Sequence, residues 1–140
     1  MRNFEWSESH AVRVPAMDDE HREIFRLCAD LQRSIMDGAS TTDVLPVVAD
    51  VVIHTAQHFS HEEREMRAAA YPLYPWHRKQ HQTARSRVLS LEKRVRRGDR
   101  DAVIELVDFL AAWLHDHVRL ADRMLGAYLR NHERELSARG

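Results

Sequence analysis

The sequence is short of the residues that cross-link or interrupt a chain. Cys28 is its single cysteine, so no disulfide closes within the chain and a cysteine-based zinc or iron–sulfur site is excluded. Any metal held here must take nitrogen and oxygen donors. Four glycines and four prolines leave long segments without a breaker, and none of those segments alternates as a strand would. No run approaches the ~18 apolar residues of a membrane span, and the N-terminal MRNFEWSESHAVRVP lacks the apolar stretch of a signal peptide. Charge of one sign is missing too: 21 Lys and Arg against 22 Asp and Glu leave a net charge of -1, which gives no reason to expect nucleic acid or an anionic membrane. The expectation is a soluble, cytoplasmic protein.

What the sequence has in excess is histidine, ten in 140 residues. That length suits one domain, residues 1–140, with room for a real core. The periodicity is helical throughout. After an N-terminal arm, residues 1–17, a first helix is expected over about 18–37, with Ile24, Phe25, Cys28, Leu31 and Ile35 on one stripe and Gly38 as its stop. A second, over about 42–70, starts where Thr42 or Asp43 can cap it and Pro46 is tolerated in the first turn. The prolines of YPLYP break the chain before a third helix over about 76–97. Gly98 ends that one, and Asp99 or Asp101 caps a fourth over about 99–132, whose apolar face runs from Val103 through Leu114, Leu120 and Met124 to Tyr128. Connections this short give an all-α, antiparallel up-down-up-down four-helix bundle with an N-terminal arm.

The histidines fall on those stripes. His21 lies three and four residues before Ile24 and Phe25; His77 and His81 are i and i+4 on the apolar face of the third helix; His117 sits between Leu114 and Leu120. The second helix adds His54, His58 or His61. A lone inward histidine is ordinarily a hydrogen-bonded core residue, so the argument rests on convergence. In an antiparallel bundle the starts of helices one and three meet the ends of two and four, which gathers these imidazoles in one half of the interior. Their common partner is a transition metal, and the number of nitrogens suits two ions. Glu62, four residues after His58, shares its face and can bridge two metals. Asp122 is five residues after His117, about 140° around an α-helix, and spacing alone does not choose it over Asp116.

The series His21, HFSHEE with His58 and Glu62, H-x-x-x-H at His77 and His81, and WLHDHVRLAD with His117 and Asp122 resembles the hemerythrins, in particular the single-domain bacterial form. The resemblance runs from about Trp6 to Leu125. It implies reversible O2 binding at a non-haem di-iron centre, for carriage, storage, delivery or sensing, and a binding protein in place of an enzyme. Carried over residue by residue, His77, His81 and His117 hold one iron, His21 and His58 the other, and Glu62 and Asp122 bridge them with an oxo or hydroxo group. Ile24, Phe59, Trp113 and Leu114 match the apolar O2 pocket. NO or small anions are alternative ligands, a protein partner for delivery or signalling is compatible, and the oligomeric state is open. The alternative is a redox enzyme on the same site, an oxidase or peroxidase or one handling nitric oxide; it calls for a polar acid or proton relay where this sequence offers Trp113 and Leu114.

Departures from the family pattern carry expectations of their own. Glu20 stands where the family usually has Gln and is expected to face solvent or to support a ligand. His54 is expected in the core or beside the ligands. Cys28 should be packed as a small hydrophobe, and His10 and His132 should be surface residues.

Overall fold

A computed structural model describes residues 4–139; positions 1–3 of the expected arm and residue 140 lie outside the described residues. Among the described residues five α-helices follow a short 3-10 turn: α1 (Pro15–Met36), α2 (Thr41–Ala68), α3 (Tyr74–Arg96), α4 (Arg100–His117) and α5 (Arg123–Arg139), with a π turn, Val118–Asp122, joining the last two. α1, α2 and α3 each pack on the next helix in sequence, α1 also packs on α4, and α5 packs on the π turn. The result is an up-down-up-down four-helix bundle whose fourth member is α4, the π turn and α5 in succession. Among the described residues no helix is long and apolar enough to cross a membrane.

The helix ends follow local chemistry. Pro15 lies in the first turn of α1, where its missing N–H leaves nothing unsatisfied, so the helix begins three residues before the expected Asp18. Ser40, and not Thr42 or Asp43, caps α2: its hydroxyl accepts the Asp43 amide at 3.1 Å while the Asp43 carboxylate accepts the Ser40 amide at 3.2 Å. Gly38 and Gly98, with φ of 87° and 89°, take the left-handed conformation that ends α1 and α3. Asp99 caps α4 by accepting the Ala102 amide at 3.3 Å.

Packing splits into two apolar clusters with a polar layer between them. The larger includes Ile24, Leu31, Val48, Val88, Leu91, Leu106, Leu110 and Leu114, and the smaller includes Val12, Met17, Met66, Tyr71, Val118 and Leu125. Along α1, α2 and α4 the order is the same: a histidine sits between a member of one cluster and a member of the other. Cys28 is buried in the larger cluster, and burial pushes its thiol pKa up.

Two expectations fail here. His10 is buried, with its ring 5.0 Å from Phe25 and its Nε2 3.3 Å from His115 Nδ1, because residues 4–14 strap back across the bundle. Leu120 and Met124 are exposed, 59% and 40%, because the π turn shifts the inward face before they are reached. The strap is fixed at Val12, whose amide donates to Asp18 at 2.9 Å and whose carbonyl lies against Gly126 of α5. A Cβ at position 126 would stand 2.6 Å from that carbonyl oxygen. Gly126→Ala should therefore destabilise the chain by about 1–3 kcal/mol, read as a lower midpoint in urea unfolding.

Candidate metal centre

The polar layer is built from seven side chains on four helices, all buried: His21 on α1, His58 and Glu62 on α2, His77 and His81 on α3, His117 at the end of α4 and Asp122 in the π turn. Their donor atoms form two groups. Glu62, His77, His81, His117 and Asp122 make one and His21, His58, Glu62 and Asp122 the other, with the donors of each group all within 4.8 Å of one another. The two carboxylates belong to both.

Each carboxylate divides its oxygens between the groups. Glu62 Oε1 lies 3.1 Å from both His77 Nε2 and His81 Nε2, while its Oε2 lies 2.7 Å from His58 Nε2. Asp122 Oδ1 lies 3.0 Å from His77 Nε2 and His117 Nε2, and Oδ2 lies 3.1 Å from His21 Nε2. The imidazoles are as close to each other, with Nε2 atoms 2.9 Å apart in the pair His21–His58 and 3.1 Å apart in the pair His77–His117. Bonds of about 2.1 Å meeting at right angles on one ion put their donors about 3.0 Å apart. Neighbouring donors in both groups have that spacing.

The helical phase of Asp122 is settled by the π turn. Its wider i→i+5 pattern brings residues five apart onto one face, so Asp122 points with His117, while Asp116 is exposed.

The far sides of the rings decide which nitrogen faces inward. His58 Nδ1–H donates to Glu20 at 2.8 Å, His81 Nδ1–H to Glu63 at 3.0 Å, and His117 Nδ1–H to the Gln80 amide oxygen at 2.8 Å. Each proton placed outside leaves the Nε2 lone pair turned in. Three such lone pairs and four carboxylate oxygens then share an interior without donors enough to match them. Accordingly Glu62 Oε2, Asp122 Oδ1 and His81 Nε2 are buried without a hydrogen-bond partner, Glu62 Oε2 despite standing 2.7 Å from His58 Nε2. Cations answer that arrangement, and a nitrogen- and carboxylate-rich donor set of this kind fits two iron ions sharing an oxo or hydroxo bridge.

Of the residues expected at the site, all seven donors come together. Ile24 and Leu114 are buried one turn from His21 and His117. Phe59 stacks on His81 at 4.1 Å, Trp113 stacks on His117 at 4.2 Å, and the two aromatic rings meet at 5.3 Å. His54 is neither core nor beside the donors: it is half-buried on the outside of α2, and its Nδ1 bonds the Asp50 carbonyl at 2.9 Å. Glu20 supports His58. Glu63 and Gln80 went unnoticed because a carboxylate or amide beside a ligand carries no spacing signal until the facing helix is in place.

Without metal, protons fill the same need. Burial lowers the His58 pKa, but the Glu62 charge and the hydrogen bonds to Glu20 and Glu62 outweigh it and raise it from 6.5 to about 10. Burial likewise opposes His77, which Asp122 and Glu62 raise to about 9. Glu62 and Asp122 are held well below the ordinary carboxylate range by the histidines, against burial. Raised histidines stabilise the fold fully below about 6.5 and lose that contribution as pH climbs through 9 and 10. Depressed carboxylates stabilise it above about 4 and lose it in acid. The metal-free chain should thus be most stable between these limits and weaken above pH 9, a decline that chemical denaturation at stepped pH will register and that bound metal should suppress.

The sequence model for the Hemerythrin HHE cation binding domain matches residues 12–129. The chain is 28% identical over 129 residues to a bacteriohemerythrin of Stenotrophomonas maltophilia (strain R551-3), covering 91% of this chain and 82% of that one. It is 29% identical over 119 residues to a myohemerythrin of Sipunculus nudus, covering 85% and 88%. Its backbone matches a crystal structure of wild-type hemerythrin with a TM-score of 0.80 at 22% identity, over 89% of this chain and 96% of that one. With a family model spanning most of its length and two donor groups that share their carboxylates, the chain belongs to the hemerythrin family, in its bacteriohemerythrin form.

Proposed function

We propose that this protein binds O2 reversibly at a non-haem di-iron centre, and that residues 1–140 act as one domain in doing so. The observation that carries the reading is the sharing of Glu62 and Asp122 between two buried donor groups. In this reading His77, His81 and His117 would hold one iron, His21 and His58 would hold the other, and the two carboxylates would be shared between them. Ferrous ions held there would supply the two electrons that reversible O2 capture calls for.

The residues of the chain do the rest. Five donors serve one side and four the other, so the two-histidine side keeps room for a small exogenous ligand. Ile24, Phe59, Trp113 and Leu114 form the apolar wall of the O2 pocket and limit the entry of water and protons. Phe59 and Trp113 also fix the planes of His81 and His117 by stacking on them. With five neutral imidazoles and only two carboxylates, the centre is less negative than carboxylate-rich di-iron enzymes, which favours letting O2 go unchanged over driving it to high-valent chemistry. A cytoplasmic setting and a separate protein partner for delivery or signalling complete the proposal.

Protein produced with ample iron should carry two irons per chain, colour on admission of O2 in its ferrous state and bleach when O2 is withdrawn. Iron near zero, or colour that never bleaches, would overturn the reading.

The donor assignment has its own check. His117→Ala should lose iron and lower the unfolding midpoint of the iron-loaded protein, since it removes a donor and leaves carboxylate oxygens unmatched. His54→Ala should keep both irons. Metal analysis of the two variants side by side reads the difference.

A further inference from the structure

Glu20 touches the centre without belonging to either donor group. It precedes His21 on α1, yet its side chain reaches across to α2, where Oε1 accepts Nδ1–H from His58 at 2.8 Å and from His61 at 3.0 Å. His58 is 3% exposed and Glu20 34%, so the carboxylate stands between a buried ring and the surface. His61 in turn places its Nε2 3.6 Å from Glu65 Oε1, which keeps Glu20 held from its outer side.

The five rings are not supported alike. Nδ1 of His21 and of His77 is buried with no hydrogen-bond partner, and His117 Nδ1 meets a neutral amide oxygen. His81 meets Glu63, whose other oxygen lies 3.7 Å from the Arg78 guanidinium. Among the described residues, Glu20 is thus the carboxylate that supports a ring of the two-histidine group. A carboxylate accepting Nδ1–H draws the proton outward and leaves Nε2 more electron-rich, and an electron-rich nitrogen favours the more highly charged metal.

We infer that Glu20 is a positioning residue that locks the His58 ring with its Nε2 lone pair inward and biases the two-histidine iron toward the ferric state. The inference deepens the proposed function and rests on it for the presence of iron, though not for O2 binding. Glu20 would set how firmly the oxidised, ligand-bearing state is held, without contact with either iron or O2.

Glu20→Gln isolates the charge, because the amide oxygen can still accept Nδ1–H. Loss of about tenfold in ferric over ferrous preference is expected, equal to a rise of about 59 mV in the midpoint of that one-electron couple. Glu23→Gln is the control: it removes the same charge one turn away on α1, from an exposed carboxylate paired with Arg26. The full-length chain, iron-loaded and free of O2, is titrated by spectroelectrochemistry, with iron content measured on each sample.

A rise in Glu20→Gln alone supports the inference. An unchanged midpoint with two irons bound overturns it, and so does an equal rise in Glu23→Gln, which would make the effect one of general charge. Should Glu20→Gln lose iron, zinc-loaded protein decides by proton NMR: the His58 Nδ1–H resonance must move upfield in Glu20→Gln, and a stationary resonance overturns the inference. Because no O2 is present, unsubstituted protein that takes up iron but fails to bind O2 reversibly would sink the proposed function alone. Unsubstituted protein that takes up no iron would sink both.

Discussion

Two carboxylates, Glu62 and Asp122, each 1% exposed, lie in the middle of a helical bundle, and the rest of the structure is arranged around that fact. An ionised carboxylate taken out of water costs several kcal/mol unless cations and hydrogen bonds replace the solvent. Five imidazoles on α1, α2, α3 and α4 supply the replacement, with raised pKa values at His21, His58 and His77 when metal is absent and as ligands when it is present. The layer ties α1, α2, α3 and the π turn into one cross-brace. Apolar clusters on either side keep water out of it, so the charges have nowhere else to go.

The π turn shows how local geometry yields to that demand. A regular helix through Val118–Asp122 would carry Asp122 away from His117 and keep Leu120 and Met124 on the inward face. The wider turn brings the carboxylate in and leaves both side chains in water. Exposing two apolar residues and distorting a helix are unfavourable, and a buried carboxylate facing three imidazole nitrogens within 3.1 Å offsets them.

Around the donors, a second set of contacts fixes how each ring presents itself. Glu20, Glu63 and Gln80 hold outer protons, while Phe59 and Trp113 press flat on two of the rings. Orientation is thereby set before any ligand arrives. The supports differ from ring to ring, and that asymmetry gives the chain a means of treating its two irons differently while the donor atoms themselves stay alike.

The four members of the bundle, the inward stripes and the histidines His21, His77, His81 and His117 were legible in the sequence, because a 3.6-residue period carries burial and chemistry on the same pattern; on the second helix spacing left His54, His58 and His61 open, and His58 was singled out by resemblance. Glu62 followed from its four-residue spacing to His58. Asp122 did not follow from spacing, since a π turn has no signature in composition; it entered only through resemblance. His10 read as surface because an irregular strap has no period, and its burial against Phe25 depends on where the chain folds back. His54 stood at an equally plausible spacing and fell outside, because the four-residue step from His58 carries it a further ~40° around α2, to the edge of the buried stripe of Val51, Thr55, His58 and Glu62. Sequence by itself determined the bundle and the inward histidines of its first, third and fourth helices. Tertiary structure decided which oxygen faces which histidine, which proton points outward and what accepts it, because those depend on distances between helices that no single helix encodes.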